Sequence, residues 1–444
     1  MSHVFGRDTR HGFPTAVAAE GLFITDSTGK RYLDASGGAA VSCLGHGHPA
    51  VREAIKLQVD KLGYAHTGFF TNEPQEALAD ELIARAPENL VRVFFVSGGS
   101  EAMEAAMKLA RQYHVERGEP QRHHFISRRF SYHGNTLGAL SVSGHYARRS
   151  TYLPLLQPVT HIAPCFAYRG RQADETDDVY GMRVAGELEV AIQAAGPDSV
   201  AAFVAEPVVG ATLGAVPPVA GYFKRIRDIC DKYGVLLILD EVMCGMGRTG
   251  TLHACEQEGI SPDLLILAKG LGAGYQPIGA MLVADKVFQS IAGGTGFFNH
   301  GHTYMGHAVG CAAALAVQRV IKEEGLLANV RHQGSLLEEL LVARFGENPH
   351  VGDIRGRGLF WALEFVKDRT SKQPFKQQLR LHEAIKDHAM RQGLIVYPAG
   401  GTADGEAGDH VLVAPPFNVT PSALEELVSR LDSAVKQALA GLDR

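Results

Sequence analysis

The sequence predicts an α/β protein: a large unit with a mostly parallel sheet flanked by helices, followed by a smaller α+β unit. Three observations lead there. Two runs, Val235-Leu236-Leu237-Ile238-Leu239 and Leu264-Leu265-Ile266-Leu267-Ala268, are apolar at every position and too short for separate helices. Strands buried on both faces read this way. Strand-like runs then alternate with helical periodicity from about residue 91 to residue 268, the order of a parallel sheet with right-handed crossovers. Past Gly325 the pattern changes.

Residues 18–33 alternate apolar and polar around Ser27-Thr28-Gly29-Lys30, a hairpin signal. Residues 49–62 and 72–86 have helical periodicity. Residues 91–97 read as a buried strand, and Gly98-Gly99-Ser100 leads into a helix over 101–117. Strands over 124–127, 200–206, 235–241 and 264–268 continue the series, with a helix over 221–233 between two of them. Residues 169–178 are polar and read as a surface loop. A long amphipathic helix is expected over 326–344, a strand–turn–strand pattern over 351–364, and helices over 381–391 and 421–442. Residues 401–408 form a loop among them. The expected organisation is an N-terminal segment, 1–60, that contributes to the small domain; a large domain, 61–325; and a small C-terminal α+β domain, 326–444.

The chain has 444 residues, 45% hydrophobic and 20% charged, a globular balance with length for two domains. Its net charge is −5, and no basic block occurs, which argues against a nucleic-acid partner. The first nine residues are polar, and no apolar run reaches the length of a membrane span, so neither a signal peptide nor a membrane partner is expected. Six cysteines are spread without CxxC spacing. They are expected to be reduced, in a cytoplasmic protein.

Both apolar runs end in a charge: Asp240 after the first and Lys269 after the second. In an open α/β sheet the carboxyl ends of the strands are where ligands bind. Burying an acid and an amine there is costly unless they are used. An acid to hold a ring nitrogen and a lysine to hold an aldehyde are what pyridoxal phosphate requires. Read alone, Lys269 is equally a lysine that snorkels into solvent, and Asp240 a carboxylate capping the next turn. The tight, small-residue loop Gly270-Leu271-Gly272-Ala273-Gly274-Tyr275-Gln276-Pro277 favours the first reading, because it lets a ligand approach the backbone. Val242, two residues past Asp240, is expected on the same side of the strand, where it would cover a ring face.

Gly98, Gly99 and Ser100 before a helix form a phosphate site through free backbone N–H groups. The plainer reading is a Ser100 N-cap with Glu104 four residues on. Tyr132 and His133 follow a strand; Tyr132 suits stacking on a planar ring, and His133 lining the same pocket, with a turn carrying one core aromatic as the alternative reading. Glu206 ends the strand over 200–204 and reads either as the anchor of a hydrogen-bond network beside a ring or as a satisfied carboxylate before a turn. His300, His302 and His307 cluster without a carboxylate or cysteine at ligand spacing, so no metal is expected there.

Taken in order along nearly the whole chain, these segments resemble the class III aminotransferases, of the fold type I family of pyridoxal-phosphate-dependent transferases. The ordered set is Leu33-Asp34, the Gly45-to-Pro49 turn, Ser97-Gly98-Gly99-Ser100-Glu101-Ala102, Tyr132-His133-Gly134, Glu206-Pro207, Asp240-Glu241-Val242, Gly245-Met246-Gly247-Arg248-Thr249-Gly250, Ala268-Lys269-Gly270, Gly301-His302-Thr303-Tyr304 and Ala414-Pro415-Pro416-Phe417. The resemblance implies pyridoxal 5′-phosphate as cofactor. Lys269 would be the amine tethered to its aldehyde and would later shuttle a proton, and Asp240 would pair with the pyridine nitrogen. Gly99 and Ser100 would hold the phosphate. Tyr132 would stack on one ring face, Val242 would cover the other, and Glu206 would support the network beside it. Thr303 would reach the phosphate of a neighbouring subunit, which makes a homodimer, or a tetramer built from it, the functional unit.

Met243-Cys244-Gly245 is similar to the ω-amino acid:pyruvate and amine:pyruvate branch. The partners implied are an ω-amino acid or amine as donor and pyruvate or 2-oxoglutarate as acceptor. That branch often carries a carboxylate-binding arginine near residues 393–401, where this chain reads Tyr397-Pro398-Ala399-Gly400-Gly401. Arg169 is a replacement candidate, with a surface arginine as the alternative. Where relatives place an aromatic entrance wall the chain has Ala39-Ala40-Val41, so Phe69 and Phe70 are expected to supply apolar wall. A decarboxylase or aminomutase on the same scaffold stays open. A dinucleotide-dependent oxidoreductase lacks its fingerprint here.

Overall fold

The computed structural model describes residues 3–442. At its centre is a seven-stranded sheet in the order Leu90–Val96, Gly279–Ala284, Leu264–Leu267, Leu236–Asp240, Val200–Ala205, His124–Arg128 and Thr160–Ile162. Gly279–Ala284 is antiparallel to both neighbours, and the pairings from Leu264–Leu267 onward are parallel. Every residue of the three central strands is buried, which explains why their sequences are continuous apolar runs and not alternating ones. The helices Gly99–Glu116, Asp177–Ala195 and Tyr222–Tyr233 pack against this sheet. Their apolar faces and the strands make one continuous core, from Leu78 to Leu315.

A second core draws on both ends of the chain, from Leu33 to Val51 and from Ala313 to Ala438. The helix Ala308–Glu323 feeds both: Cys311, Ala314 and Leu315 belong to the first core, Ala313, Val317 and Ile321 to the second. The C-terminal sheet orders Val351–Arg357, Phe360–Phe365, Asp409–Val413 and Tyr397–Gly400, all antiparallel. Residues 401–408 connect its last two strands. The short strand Leu394–Ile395 pairs in parallel with Arg31–Asp34, so the N-terminal strands are continuous with the C-terminal part.

Two expectations are corrected. The hairpin over residues 18–33 is a three-stranded meander, Ala16–Glu20, Phe23–Asp26 and Arg31–Asp34. The extra reversal is at Gly21-Leu22, where Gly21 has φ +56° and closes a two-residue turn between Glu20 and Phe23. The polar stretch expected as loop to residue 178 ends earlier, because Asp177–Ala195 is helical. Thr176 caps that helix by accepting from the Val179 N–H at 3.3 Å, and Asp177 and Asp178 sit favourably in its first turn. Among the described residues no helix is long and apolar enough to cross a membrane.

Candidate active site

A cavity of about 430 Å³ lies at the carboxyl ends of the central strands. That is within the range of small-molecule sites. It brings together seven of the eight residues to which the resemblance gives a role at the cofactor, Gly99, Ser100, Tyr132, Glu206, Asp240, Val242 and Lys269, and His133 lines it with them. Thr303 is exposed and does not line it; the Tyr64 hydroxyl donates to the Thr303 carbonyl at 3.0 Å.

Asp240 is the last residue of its strand and is 4% exposed. Both carboxylate oxygens are held. Oδ1 accepts from the Val242 N–H at 3.0 Å, and His133 Nδ1 donates to Oδ2 at 2.8 Å. His133 Nε2 is buried and has no hydrogen-bond partner among the described residues. Val242 does line the cavity, but not by strand alternation as expected. The strand stops at Asp240, and the turn closed by the Val242 N–H aims the isopropyl group inward.

Lys269 follows the strand Leu264–Leu267 and opens a short 3₁₀ turn. Its φ is +44°, a left-handed conformation that disfavours any side chain with a Cβ. The Gly272 and Ala273 N–H groups bond its carbonyl at 3.1 and 2.8 Å and fix that conformation. The amine is half-buried in the cavity wall, and burial lowers its pKa from 10.5 to about 8, against the opposing pull of Asp240 and Glu206. Burial also pushes the Glu206 carboxyl up, eased by the neighbouring His133. Glu206 accepts from the backbone N–H of Tyr132 at 3.1 Å and of Gly210 at 2.9 Å, so it ties the Tyr132 segment to the sheet edge.

Ser97-Gly98-Gly99-Ser100 turns from strand into helix, with Gly98 as the N-cap. Ser100 is not the cap its sequence position permits: its Oγ accepts from the Asn135 N–H at 3.0 Å. Glu104 does not close a capping box either. It accepts from the Gly138 and Ala139 N–H groups at 2.7 and 3.1 Å and so caps the next helix, Leu137–Val142. The first N–H groups of the helix, Gly99 and Ser100, have no intrahelical acceptor and face the cavity end of the sheet. A Cβ on Gly99 would stand 3.0 Å from Val242 Cγ2. Glycine is what lets the Val242 wall approach this helix end.

Met243, Ile278, Gln276 and Val41 also line the cavity, and of these only Ile278 lay outside the segments the sequence drew attention to. Phe69 and Phe70 are 82% and 66% exposed and are not in the cavity, so the apolar wall expected of them is supplied by Val41, Met243 and Ile278. Arg169 is neither a cavity residue nor a free surface group. Its Nε donates to Glu364 at 2.6 Å, inside a buried cluster with Arg355. His300 packs edge-to-face against His302 and stacks on Phe94.

A phosphorylated pyridine aldehyde fits this chemistry. There is an amine of lowered basicity, an oriented carboxylate in the same lining, an aromatic side chain at the wall and a helix N-terminus whose first N–H groups have no intrahelical acceptor. Comparison with known proteins agrees. The family model described as "Aminotransferase class-III" matches residues 5–435. An uncharacterized aminotransferase of Schizosaccharomyces pombe is 45% identical over 446 residues, covering 99% of this chain and 96% of its own. A diaminobutyrate–2-oxoglutarate transaminase of Halomonas elongata is 37% identical over 447 residues, covering 99% and 94%. The solved structure of an omega transaminase from Pseudomonas jessenii in complex with PMP superposes with a TM-score of 0.92 at 33% identity, covering 99% of this chain and 96% of that one. The chain therefore belongs to the class III aminotransferases, enzymes of the fold type I scaffold that use pyridoxal 5′-phosphate.

Proposed function

We propose that the protein moves an amino group from an ω-amino acid or amine to a keto acid, pyruvate or 2-oxoglutarate, by ping-pong chemistry. The observation that carries this reading is the placement of the Lys269 amine and the Asp240 carboxylate on the walls of one cavity beside a helix N-terminus. The similarity to an omega transaminase and to a transaminase named for diaminobutyrate and 2-oxoglutarate supports the substrate classes.

In this reading the cofactor, when bound, supplies a carbonyl to exchange amines and a protonated ring to accept electrons from the substrate carbon. Lys269 would hold the aldehyde through its amine and, when free and neutral, would take up and return a proton at Nζ. Asp240 would pair with the ring nitrogen, and the His133 and Val242 N–H groups keep its carboxylate oriented. Gly99 and Ser100 would hold the phosphate through the helix end, Tyr132 would stack on one ring face and Val242 would cover the other. Glu206 fixes the Tyr132 backbone. Tyr132 and Val242 would restrict how the ring and the substrate lie in the cavity, and that orientation would favour transamination.

The same proposal includes a homodimer, or a tetramer built from it, in which Thr303 reaches the neighbour's phosphate. Exposed Phe297 and Tyr304, with Tyr64 against Tyr304, supply apolar surface around Thr303 for such a contact. It also includes a cytoplasmic location, which suits six free, buried cysteines, and the domain division at residues 60 and 325, which suits the two cores.

Borohydride reduction of the loaded enzyme followed by peptide mapping tests the core of this reading: the label is expected on Lys269, and a label elsewhere overturns it. A donor screen without acceptor tests the reaction type. Stoichiometric formation of pyridoxamine phosphate from β-alanine, γ-aminobutyrate, putrescine or an aryl amine is expected. Release of carbon dioxide, or activity with α-amino acids alone, overturns it.

A further inference from the structure

A keto acid or ω-amino acid brings a carboxylate to the site, and the cavity lining offers it no guanidinium: Lys269 is the one lysine or arginine among the described lining residues. Nor does the loop 401–408, which presents exposed Asp404 and Glu406, of the wrong sign. Arg169 is engaged with Glu364. One arginine at this edge of the cavity is uncommitted. Arg148 sits in the short helix Tyr146–Arg149, and Gly405 of that loop lies against Tyr146 and Phe130. The Arg148 guanidinium carbon is 4.7 Å from the centroid of the Tyr132 ring. The side chain is exposed and makes no ion pair or side-chain hydrogen bond among the described residues, whereas Arg149 reaches the Ser141 carbonyl. Its charge is felt at Lys269, where it opposes protonation.

A guanidinium held over an aromatic ring by cation–π attraction does not spend its N–H donors there, and their fork matches a carboxylate bidentately. Tyr132 is thereby a shelf for a cation as well as part of the cavity wall. We propose that Arg148, seated on Tyr132, binds the substrate carboxylate and orients the substrate toward Lys269. This rests on the aminotransferase reading above and names the residue that gives that site its preference for carboxylated substrates.

The test uses the loaded, full-length enzyme and matched substrate pairs with and without a carboxylate: pyruvate against propanal as acceptor, β-alanine against propylamine as donor. In Arg148→Gln the ratio of kcat/KM within at least one pair is expected to fall about 10- to 100-fold, the worth of a charge-assisted bond. Arg148→Lys should restore part of the loss. The acceptor pair and the donor pair report separately which substrate's carboxylate is bound. Ratios in both pairs that change by less than about fivefold overturn the proposal, even if both rates fall, because that pattern means Arg148 only supports Tyr132. Cofactor affinity is measured alongside, and a loss confined to it overturns the proposal too. If the wild-type chain transfers no amino group at all, it is the aminotransferase reading that fails, and the pairs distinguish the two failures.

Discussion

Lys269 combines a left-handed backbone at φ +44° with an amine whose pKa is lowered to about 8. The backbone costs about 1 kcal/mol for a residue with a Cβ. At an ordinary position Ala is more stable than Gly, but here the order should reverse. Lys269→Gly is expected to unfold in urea with about 1 kcal/mol more stability than Lys269→Ala, with both inactive. Equal stabilities would mean the turn relaxes on substitution and the strain is not fixed by the Gly272 and Ala273 hydrogen bonds. The pKa has a separate consequence. The neutral amine is the nucleophile, and its fraction rises with pH through the folded-state pKa. Cofactor uptake by the apo chain should therefore rise and level off around pH 8, followed by the absorbance of the loaded form. An unshifted lysine would be only about 0.3% neutral at pH 8, and its uptake would keep rising toward pH 10.5. That second profile would show that burial does not tune this amine.

The strand ends and the helix N-terminus do the positioning, and each can be perturbed alone. Gly99→Ala places a Cβ 3.0 and 3.1 Å from the two methyl carbons of Val242, so the valine or the helix end must shift. Cofactor affinity is expected to fall about 10-fold, and Val242→Ala in the same chain to recover part of it, with a coupling of about 1 kcal/mol in a double-mutant cycle. Additive losses would mean the two walls do not meet. How far such elements were readable varies with their physics. The buried strands ending at Asp240 and Lys269 were legible because burial on both faces leaves a run with no polar interruption. The helix Leu381–Arg391 matched its expected ends. Gly279–Ala284 was not read, because nothing local marks a strand that runs antiparallel inside a mostly parallel sheet; only its partners Leu90–Val96 and Leu264–Leu267 define it. The helix Asp177–Ala195 was half-hidden by a polar first turn that resembles loop composition. Of the site, seven of eight residues converge because they punctuate strand ends. His133 was placed by sequence, but its bond to Asp240 joins segments 107 residues apart, and no local pattern encodes that pairing.

At the scale of the molecule, the question is whether one chain makes a complete site. Arg248 shows how tightly a single chain is tied together: fully buried, it donates to the carbonyls of Leu359 at 3.0 Å and Pro415 at 2.5 Å and lies 4.6 Å over the Phe417 ring. The Gly-rich turn after Asp240 is thus locked to the second core within the chain. Thr303 has no comparable tie to its own cavity, and its side chain is exposed. If it completes a neighbour's site, Thr303→Ala should weaken cofactor binding about 10-fold, the loss of one hydrogen bond to a charged group. Mixing decides which chain it serves. In a mixed dimer of Lys269→Ala and Thr303→Ala chains, the site that keeps Lys269 receives Thr303 from the other chain. Co-refolding equal amounts should then regenerate wild-type cofactor affinity and activity in about a quarter of all sites, as random pairing in a two-fold dimer requires. If Thr303 serves its own chain, every site in the mixture lacks one of the two residues, and titration would find weak sites alone.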